Sequence, residues 1–241
     1  MRDSLQPHRC NDCGYSLEGL APSDECPECG RPVARSLPDA RIGSAWQRSL
    51  RPGQAVVEAL ARPGEMWEQV RPERAARSLV LLAFVCLACG LAMAVSLLVG
   101  GPQTGGGNPG YALVFALASG AVLMALSLTE ACGLWLIGWR RGWSHSPGHL
   151  MAIVAHASPG WLTGALSCAV LWQVLQWVPA AWRVRGFDVF SLVRVPDGWI
   201  VGLVLVLGGG LGLMWFESLA YLGMTRLRYT SVTTESRGDR R

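Results

Sequence analysis

Four cysteines near the amino terminus have the types and spacing of a metal site. They read C-x2-C-x12-C-x2-C, at Cys10, Cys13, Cys26 and Cys29. Each C-x2-C pair can place two thiolates on one tight turn, and two such turns facing each other give tetrahedral four-sulfur coordination. Because four protein ligands leave no open coordination position, the pattern predicts a structural zinc site rather than a catalytic one.

The residues around the cysteines agree with this interpretation. Gly14 and Gly30 directly follow the two pairs, and glycine readily adopts the positive φ that such a turn needs after its second ligand. A module this short cannot bury a core, so we expect the metal to supply its folding energy, on the order of 10 kcal/mol. Two disulfides are the competing interpretation, which a cytosolic location disfavours because thiols stay reduced there.

Residues 10–30 resemble the short zinc-ribbon or rubredoxin-type module in their cysteine spacing and glycine-terminated turns. The resemblance implies bound zinc and also allows iron. The 12-residue insert between the pairs is shorter than expected for an electron-transfer rubredoxin, which favours zinc. We therefore expect a zinc ribbon over residues 1–35, called the head below.

The charges of the head argue against nucleic acid as its partner. Between Cys10 and Gly30 every charged side chain is acidic: Asp12, Glu18, Asp24, Glu25 and Glu28. Nucleic-acid affinity comes largely from cationic side chains that neutralise phosphates, so this surface would repel them. A protein partner is the expectation.

Three ionisable residues fall inside long apolar segments, where charge is costly and therefore often functional. Glu130, His156 and Glu217 would all lie roughly 10–15 Å from one membrane face, at about 1.5 Å rise per residue. Pro159 predicts a kink beside His156, because proline removes one helical hydrogen bond. The three side chains either bridge helices as a buried polar clamp or form a site for a proton, a metal or a small ligand. No protease-type pairing such as HExxH is present, so we expect no catalytic residues and no enzyme.

The elements that would position these residues are membrane helices. Four apolar segments each exceed the roughly 20 residues that cross a bilayer as a helix. They predict an all-α membrane helical bundle with spans at about 78–99, 111–139, 150–177 and 199–224, followed by a flexible cytoplasmic tail at 226–241. In the last span, Gly208, Gly209, Gly210 and Gly212 predict close helix contact. Gln173 and Gln176 in the third predict hydrogen bonds between helices.

The chain carries a net charge of +4, and the placement of its arginines predicts the orientation of these spans. Arginines before span 1, between spans 2 and 3, and after span 4 mark one side as cytoplasmic. They include Arg71, Arg74, Arg77, Arg140, Arg141, Arg226 and Arg228. The loop between spans 3 and 4 also carries arginines, partly balanced by Asp188 and Asp197. The first ten residues contain no apolar run of a secretory signal, so we expect a multi-pass protein of the inner (cytoplasmic) membrane with both termini cytoplasmic.

A proline-punctuated linker, residues 36–77, joins the head to the first span. It predicts short helices at about 54–61 and 65–70 and a longer helix that starts near Pro72, since proline fits the first turn of a helix. Two positions are open for it. Trp46 and Trp67 could lie at the level of the lipid headgroups, or the helices could pack on the cytosolic end of the bundle.

The membrane part weakly resembles the Yip1-type multi-pass family, in the stretches "RPGEMWEQVRPERAARSLVLL" and "AIVAHASPGWLTGAL". That resemblance implies membrane organisation through partner contacts. The expected function is therefore a non-enzymatic membrane protein whose head docks a protein partner. The alternative is a small transporter or proton-coupled protein that uses Glu130, His156 and Glu217.

Overall fold

The protein is mostly helical. A computed structural model describes residues 9–37, 41–71, 75–99, 109–143, 145–184 and 197–229. It is 76 % helical, and this described part contains no strand. The chain divides into two compact units. The first comprises Met1–Leu81, Leu128–Ala157 and Leu219–Arg241, and the second comprises Leu82–Ser127 and Ser158–Ser218.

In the first unit the linker folds into three short helices, of which the sequence predicted two. A 3-10 helix, Val33–Ser36, closes the head. The linker helices are α1 (Ala45–Ser49), α2 (Pro52–Ala61) and α3 (Pro63–Gln69). The second and third begin on a proline, whose fixed φ suits the first helical position. The first begins with a capping box, in which the side chains of Ser44 and Gln47 each bond to the other's backbone amide.

The described residues after the linker form five longer helices: α4 (Ala75–Leu98), α5 (Pro109–Arg140), α6 (Pro147–Ala157), α7 (Pro159–Val184) and α8 (Asp197–Leu227). By length and composition three segments in the described part of the chain can cross a membrane: Ala76–Ser96, Pro109–Arg140 and Gly202–Leu227. Their large apolar side chains are extensively exposed, among them Val114, Val206 and Met214. A surface of this kind would be unfavourable in water and suits contact with lipid.

The predicted third span, 150–177, is two helices. Its helical hydrogen bonding stops at Ser158, and α7 starts at Pro159. The helix ends because proline has no amide hydrogen to continue the helical hydrogen bonding. A tight turn, closed by the hydrogen bond from Trp161 N to Ser158 O (2.9 Å), follows instead. The kink expected at Pro159 is therefore a break. The helix before it, α6, is buried from Leu150 to Ala157 except at Met151.

In the second unit, α7 and α8 approach closely through glycines. A Cβ on Gly212 would lie 2.8 Å from Gly164 Cα, and one on Gly208 would lie 2.7 Å from the backbone nitrogen of Cys168. The close contact predicted for these two glycines of α8 is confirmed. Gly209 and Gly210 face open space instead.

Polar side chains also connect helices of the second unit. Gln173 Nε2 donates to Ser96 O over 2.9 Å, which confirms the predicted bond between helices. Trp161 stacks on Phe216, with ring centroids 4.8 Å apart, and its Nε1 donates to Ser127 Oγ over 3.0 Å. The Gln176 side chain lies outside the described residues, as do the loops at 100–108 and 185–196 and the tail at 230–241.

Candidate metal centre

The four predicted ligands converge on one point. Their Sγ atoms all lie within 4.8 Å of one another. The Cys10–Cys29 and Cys13–Cys26 Sγ pairs are each 3.5 Å apart. Sulfurs held about 2.3 Å from one tetrahedral metal ion would be roughly 3.8 Å apart, so the spacing of the four sulfurs is close to that of a tetrahedral metal site. All four cysteines are free thiols, and the residues present therefore fit a tetrahedral metal ion.

Two turns with the same backbone pattern build this cage. In each turn the amide of the first cysteine donates to the carbonyl five residues on, and the amide of the glycine donates back to the first cysteine. These bonds are Cys10 N to Tyr15 O, Gly14 N to Cys10 O, Cys26 N to Arg31 O and Gly30 N to Cys26 O, at 2.8–2.9 Å. The glycines have φ of +79° and +70°, a conformation that strains any residue with a Cβ. The glycine that follows each pair is thus a requirement of the turn.

The backbone of the first turn prepares its first ligand for metal. Burial disfavours the Cys10 thiolate, but the amides of Cys13 and Asp12 donate to it. With the neighbouring thiols they lower the pKa of Cys10 to about 7. A metal ion binds the deprotonated form of each thiol. Burial raises the pKa of Cys13 to about 12, so the first turn favours ionisation of Cys10 over that of Cys13.

Side chains join the two turns to each other and to the 3-10 helix. Asp12 on the first turn pairs with Arg31 on the second. The Arg31 hydrogen bond lowers the pKa of Asp12, and the same bond raises the pKa of Arg31. Behind the first turn, the buried Ser36 hydroxyl accepts from the amide of Asn11 over 3.3 Å.

The apolar core of the head is very small. It contains Cys10, Leu17, Cys26 and Val33, with Leu20 partly buried against them. Two of these residues are themselves predicted metal ligands. A core of this size contributes only a few kcal/mol, at about 1.5–3 kcal/mol for each fully buried aliphatic side chain. A metal ion held by the four cysteines would therefore add substantially to the stability of the head.

The surface of the head carries several exposed carboxylates. Glu18, Asp24, Glu25 and Glu28 are exposed, and so are the predicted ligands Cys13 and Cys29. The four-cysteine cage thus lies partly at the surface. Exposed carboxylates attract cationic surfaces and repel phosphates, and the exposed Arg9 and Arg35 offset part of this negative charge.

Of the three residues predicted to form a cluster in the membrane, His156 has defined partners within the first unit. His156 is fully buried, and its Nδ1 donates to Ala152 O over 2.8 Å. This fixes Nε2 as an acceptor, and the Ser44 hydroxyl lies 2.7 Å from it. Both ring nitrogens are therefore used by Ala152 and by the capping serine of α1. Glu130 and Glu217, on α5 and α8, are half-buried.

The linker packs inside the first unit. Trp67 is completely buried, with its ring centroid 6.0 Å from that of His156. Its far edge meets Gly223, where an added Cβ would lie 2.6 Å from the indole. Trp46 is buried as well, and its Nε1 donates to Arg77 O over 3.2 Å. The sequence left two locations open for the linker, at the lipid headgroups or packed against other helices. Both tryptophans are packed inside the protein.

A buried arginine completes this packing. Arg41 donates to Trp67 O and Val70 O at the end of α3, over 2.9 and 3.0 Å, and to Arg226 O in the last turn of α8, over 3.1 Å. Cations suit the carbonyl-rich ends of helices. Burial lowers the pKa of Arg41 to about 10, which still leaves it charged near neutral pH. One guanidinium thus connects the linker to α8.

The sequence did not indicate the structural roles of three residues: Ser44, Arg41 and Tyr229. Of these, Tyr229 lies against the first cysteine turn. A signal existed for Ser44, because "SAWQ" matches the serine and glutamine spacing of a capping box. Arg41 resembles the many other arginines of the chain, and Tyr229 follows the last span in a segment read as tail. Neither position has a local pattern that reveals its partners.

Comparisons with known proteins add no relative. No family model, no curated protein and no solved structure matches the chain.

Proposed function

We propose that this chain is an integral protein of the cytoplasmic membrane that carries a structural zinc ribbon and acts without catalysis. Its head would dock a protein partner or organise a membrane assembly. The observation that carries the proposal is the four-sulfur cage, built into a chain whose long helices expose apolar side chains.

The nature of the cage supports a structural role. Four thiolates saturate a tetrahedral ion and leave no position for substrate. The small core behind them makes the metal necessary for the shape of the head. We propose zinc over iron because the insert between the pairs is short. Zinc would supply no redox chemistry, only a rigid fold.

For the membrane part we propose four spans with both termini cytoplasmic. Beyond the three segments that qualify by length and composition, α7 has 26 residues, enough to cross a hydrocarbon core of about 30 Å. Arg140 ends α5, Arg226 lies in the last turn of α8, and Arg77 lies in the first turn of α4. Arginines at these three ends support one cytoplasmic side.

The exposed carboxylates of the head define the class of partner. A cationic protein surface is the complement of Glu18, Asp24, Glu25 and Glu28, whereas nucleic acid is disfavoured. Coupled transport is not the function we propose, because His156 uses both ring nitrogens within the fold.

The test compares variants of the full chain purified from its own membranes in detergent. Cys13→Ser and Cys26→Ser should lose bound zinc and lose the proteins that co-purify with the parent, as should parent treated with a chelator. Cys132→Ser, an exposed cysteine of α5, is the matched control and should keep both. Glu130→Gln and Glu217→Gln should keep the partners as well.

Two results would contradict the proposal separately. Unchanged zinc content in the Cys13 and Cys26 variants would remove the metal assignment. Loss of zinc with unchanged co-purification would leave the metal but remove the docking role. Orientation is tested independently, by labelling intact cells with a membrane-impermeant thiol reagent, which should not reach Cys13.

A further inference from the structure

The end of α8 and the two residues that follow it, together residues 223–229, contact the linker and the head at intervals of three residues. Trp67 packs on Gly223. One turn further on, Arg41 donates to the carbonyl of Arg226, and the Arg226 guanidinium pairs with Glu68 over 3.3 Å. Past the last helical turn, the ring of Tyr229 reaches the head.

Tyr229 meets the head at a position that the metal cage itself dictates. A Cβ on Gly14 would lie 2.8 Å from Tyr229 Cζ and 3.0 Å from both neighbouring ring carbons. The tip of the ring therefore lies directly against the glycine that ends the first cysteine turn. The Arg228 guanidinium lies 4.9 Å from the same ring on the helix side. Only the folded turn, with Gly14 at φ of +79°, offers this surface.

Charged groups reinforce the contact. Asp12, in the same cysteine turn, pairs with Arg31 on the second turn and so ties the two turns of the head together. Arg226, in the last turn of α8, pairs with Glu68 of the linker over 3.3 Å. Ion pairs therefore hold both the head and the helix end in the arrangement that brings Tyr229 against Gly14.

We propose that bound metal controls this contact, so that the loaded head holds Tyr229 and the end of α8, and loss of metal releases them. The inference rests on the metal site proposed above. It follows because the head has almost no core of its own, and its first turn presents Gly14 only while the cage is closed. The head would thereby transmit its metal state to the last helix.

Fluorotyrosine incorporation and 19F NMR on the full chain in detergent test this directly. The chain has only four tyrosines, so each resonance can be assigned by one substitution to phenylalanine. Tyr15 reports on the head, Tyr229 on the contact, and the exposed Tyr111 and Tyr221 serve as references. On removal of zinc by a chelator we expect both Tyr15 and Tyr229 to shift, while the references stay unchanged.

The outcomes separate the two proposals. A shift of Tyr15 alone means that the head opens without touching the helix end, which overturns the inference and leaves the metal site standing. A shift of neither overturns both. A shift of Tyr229 without Tyr15 also overturns the inference, because the change would not have come through the head.

Two glycine variants isolate the contact from strain in the turns. Gly14 and Gly30 hold equivalent positions with similar positive φ, but a Cβ on Gly30 meets nothing within 4 Å. In zinc-loaded protein, Gly14→Ala should move the Tyr229 resonance towards its metal-free position and Gly30→Ala should not. Identical Tyr229 resonances in Gly14→Ala and the parent would overturn the inference.

A variant on the other side of the contact keeps the test independent of the turn. Tyr229→Ala should accelerate transfer of zinc to a chelator several-fold, because the head loses its support. Tyr221→Ala removes an exposed ring from the same helix and should leave the rate unchanged. Equal rates in both variants would contradict the inference.

Discussion

The hydrogen bond between His156 and Ser44 gives the sharpest energetic prediction. It joins a buried helix to the cap of the first linker helix, across 112 positions of the sequence. Ser44 is completely buried, and its hydroxyl oxygen also accepts from the Gln47 amide over 3.3 Å. The serine therefore has two functions, as a helix cap and as a donor to the imidazole.

The expected cost of each substitution follows from these contacts. Ser44→Ala removes a cap, at about 1 kcal/mol, and a buried hydrogen bond, at about 1 kcal/mol more. His156→Leu leaves the Ser44 hydroxyl without its acceptor, which costs about 1–3 kcal/mol. Because the bond can be lost only once, the double variant should be less destabilised than the sum of the singles, by about 1–2 kcal/mol.

Unfolding of the four proteins in detergent, followed by tryptophan fluorescence, measures this coupling. Ser49→Ala is the matched control, since Ser49 is an exposed residue of α1 whose hydroxyl donates within its own helix. Its unfolding free energy should stay within about 0.5 kcal/mol of the parent. A coupling below about 0.3 kcal/mol would refute the bond and return His156 to the list of residues with an open functional role.

Two further predictions concern packing, each with a neighbour as control. Gly208→Ala should destabilise the chain by about 1–3 kcal/mol because its Cβ would collide with Cys168. Gly209→Ala is the control and should leave the stability unchanged. Equal melting temperatures of the two variants would contradict the close contact of α7 and α8. Arg41→Lys should destabilise by about 1–3 kcal/mol in denaturant titration, because a single ammonium cannot reach carbonyls on two helices as the guanidinium fork does. Arg62→Lys, whose 72 % exposed side chain pairs with the nearby Glu65, should stay within about 0.5 kcal/mol. Similar losses in the two arginine variants would count against the buried role.

The sequence predicts what is local. The cysteine cage depends on two short turns whose ligands and glycines are neighbours in the chain, so spacing alone indicates it. The linker helices that start at Pro52 and Pro63 are likewise visible, because proline marks a first turn. The apolar composition of the long helices is enough to predict that the fold is helical and suited to a membrane.

What the sequence does not predict depends on distant partners. Nothing near His156 indicates that its acceptor nitrogen meets Ser44, so the residue looked like part of an ionisable cluster. Trp67 is buried against Gly223, which lies far along the chain. From the sequence alone, this tryptophan was equally suited to the lipid interface. At Pro159 the missing amide was visible, but whether the helix kinks or ends depends on the packing of the segments on either side.

The central claim is that Cys10, Cys13, Cys26 and Cys29 hold one metal ion, and X-ray absorption at the zinc edge of the purified full chain tests it most directly. We predict one zinc per chain with four sulfur neighbours at about 2.3 Å. Nitrogen or oxygen neighbours in place of sulfur, or protein that purifies with paired disulfides and no metal, would contradict the account.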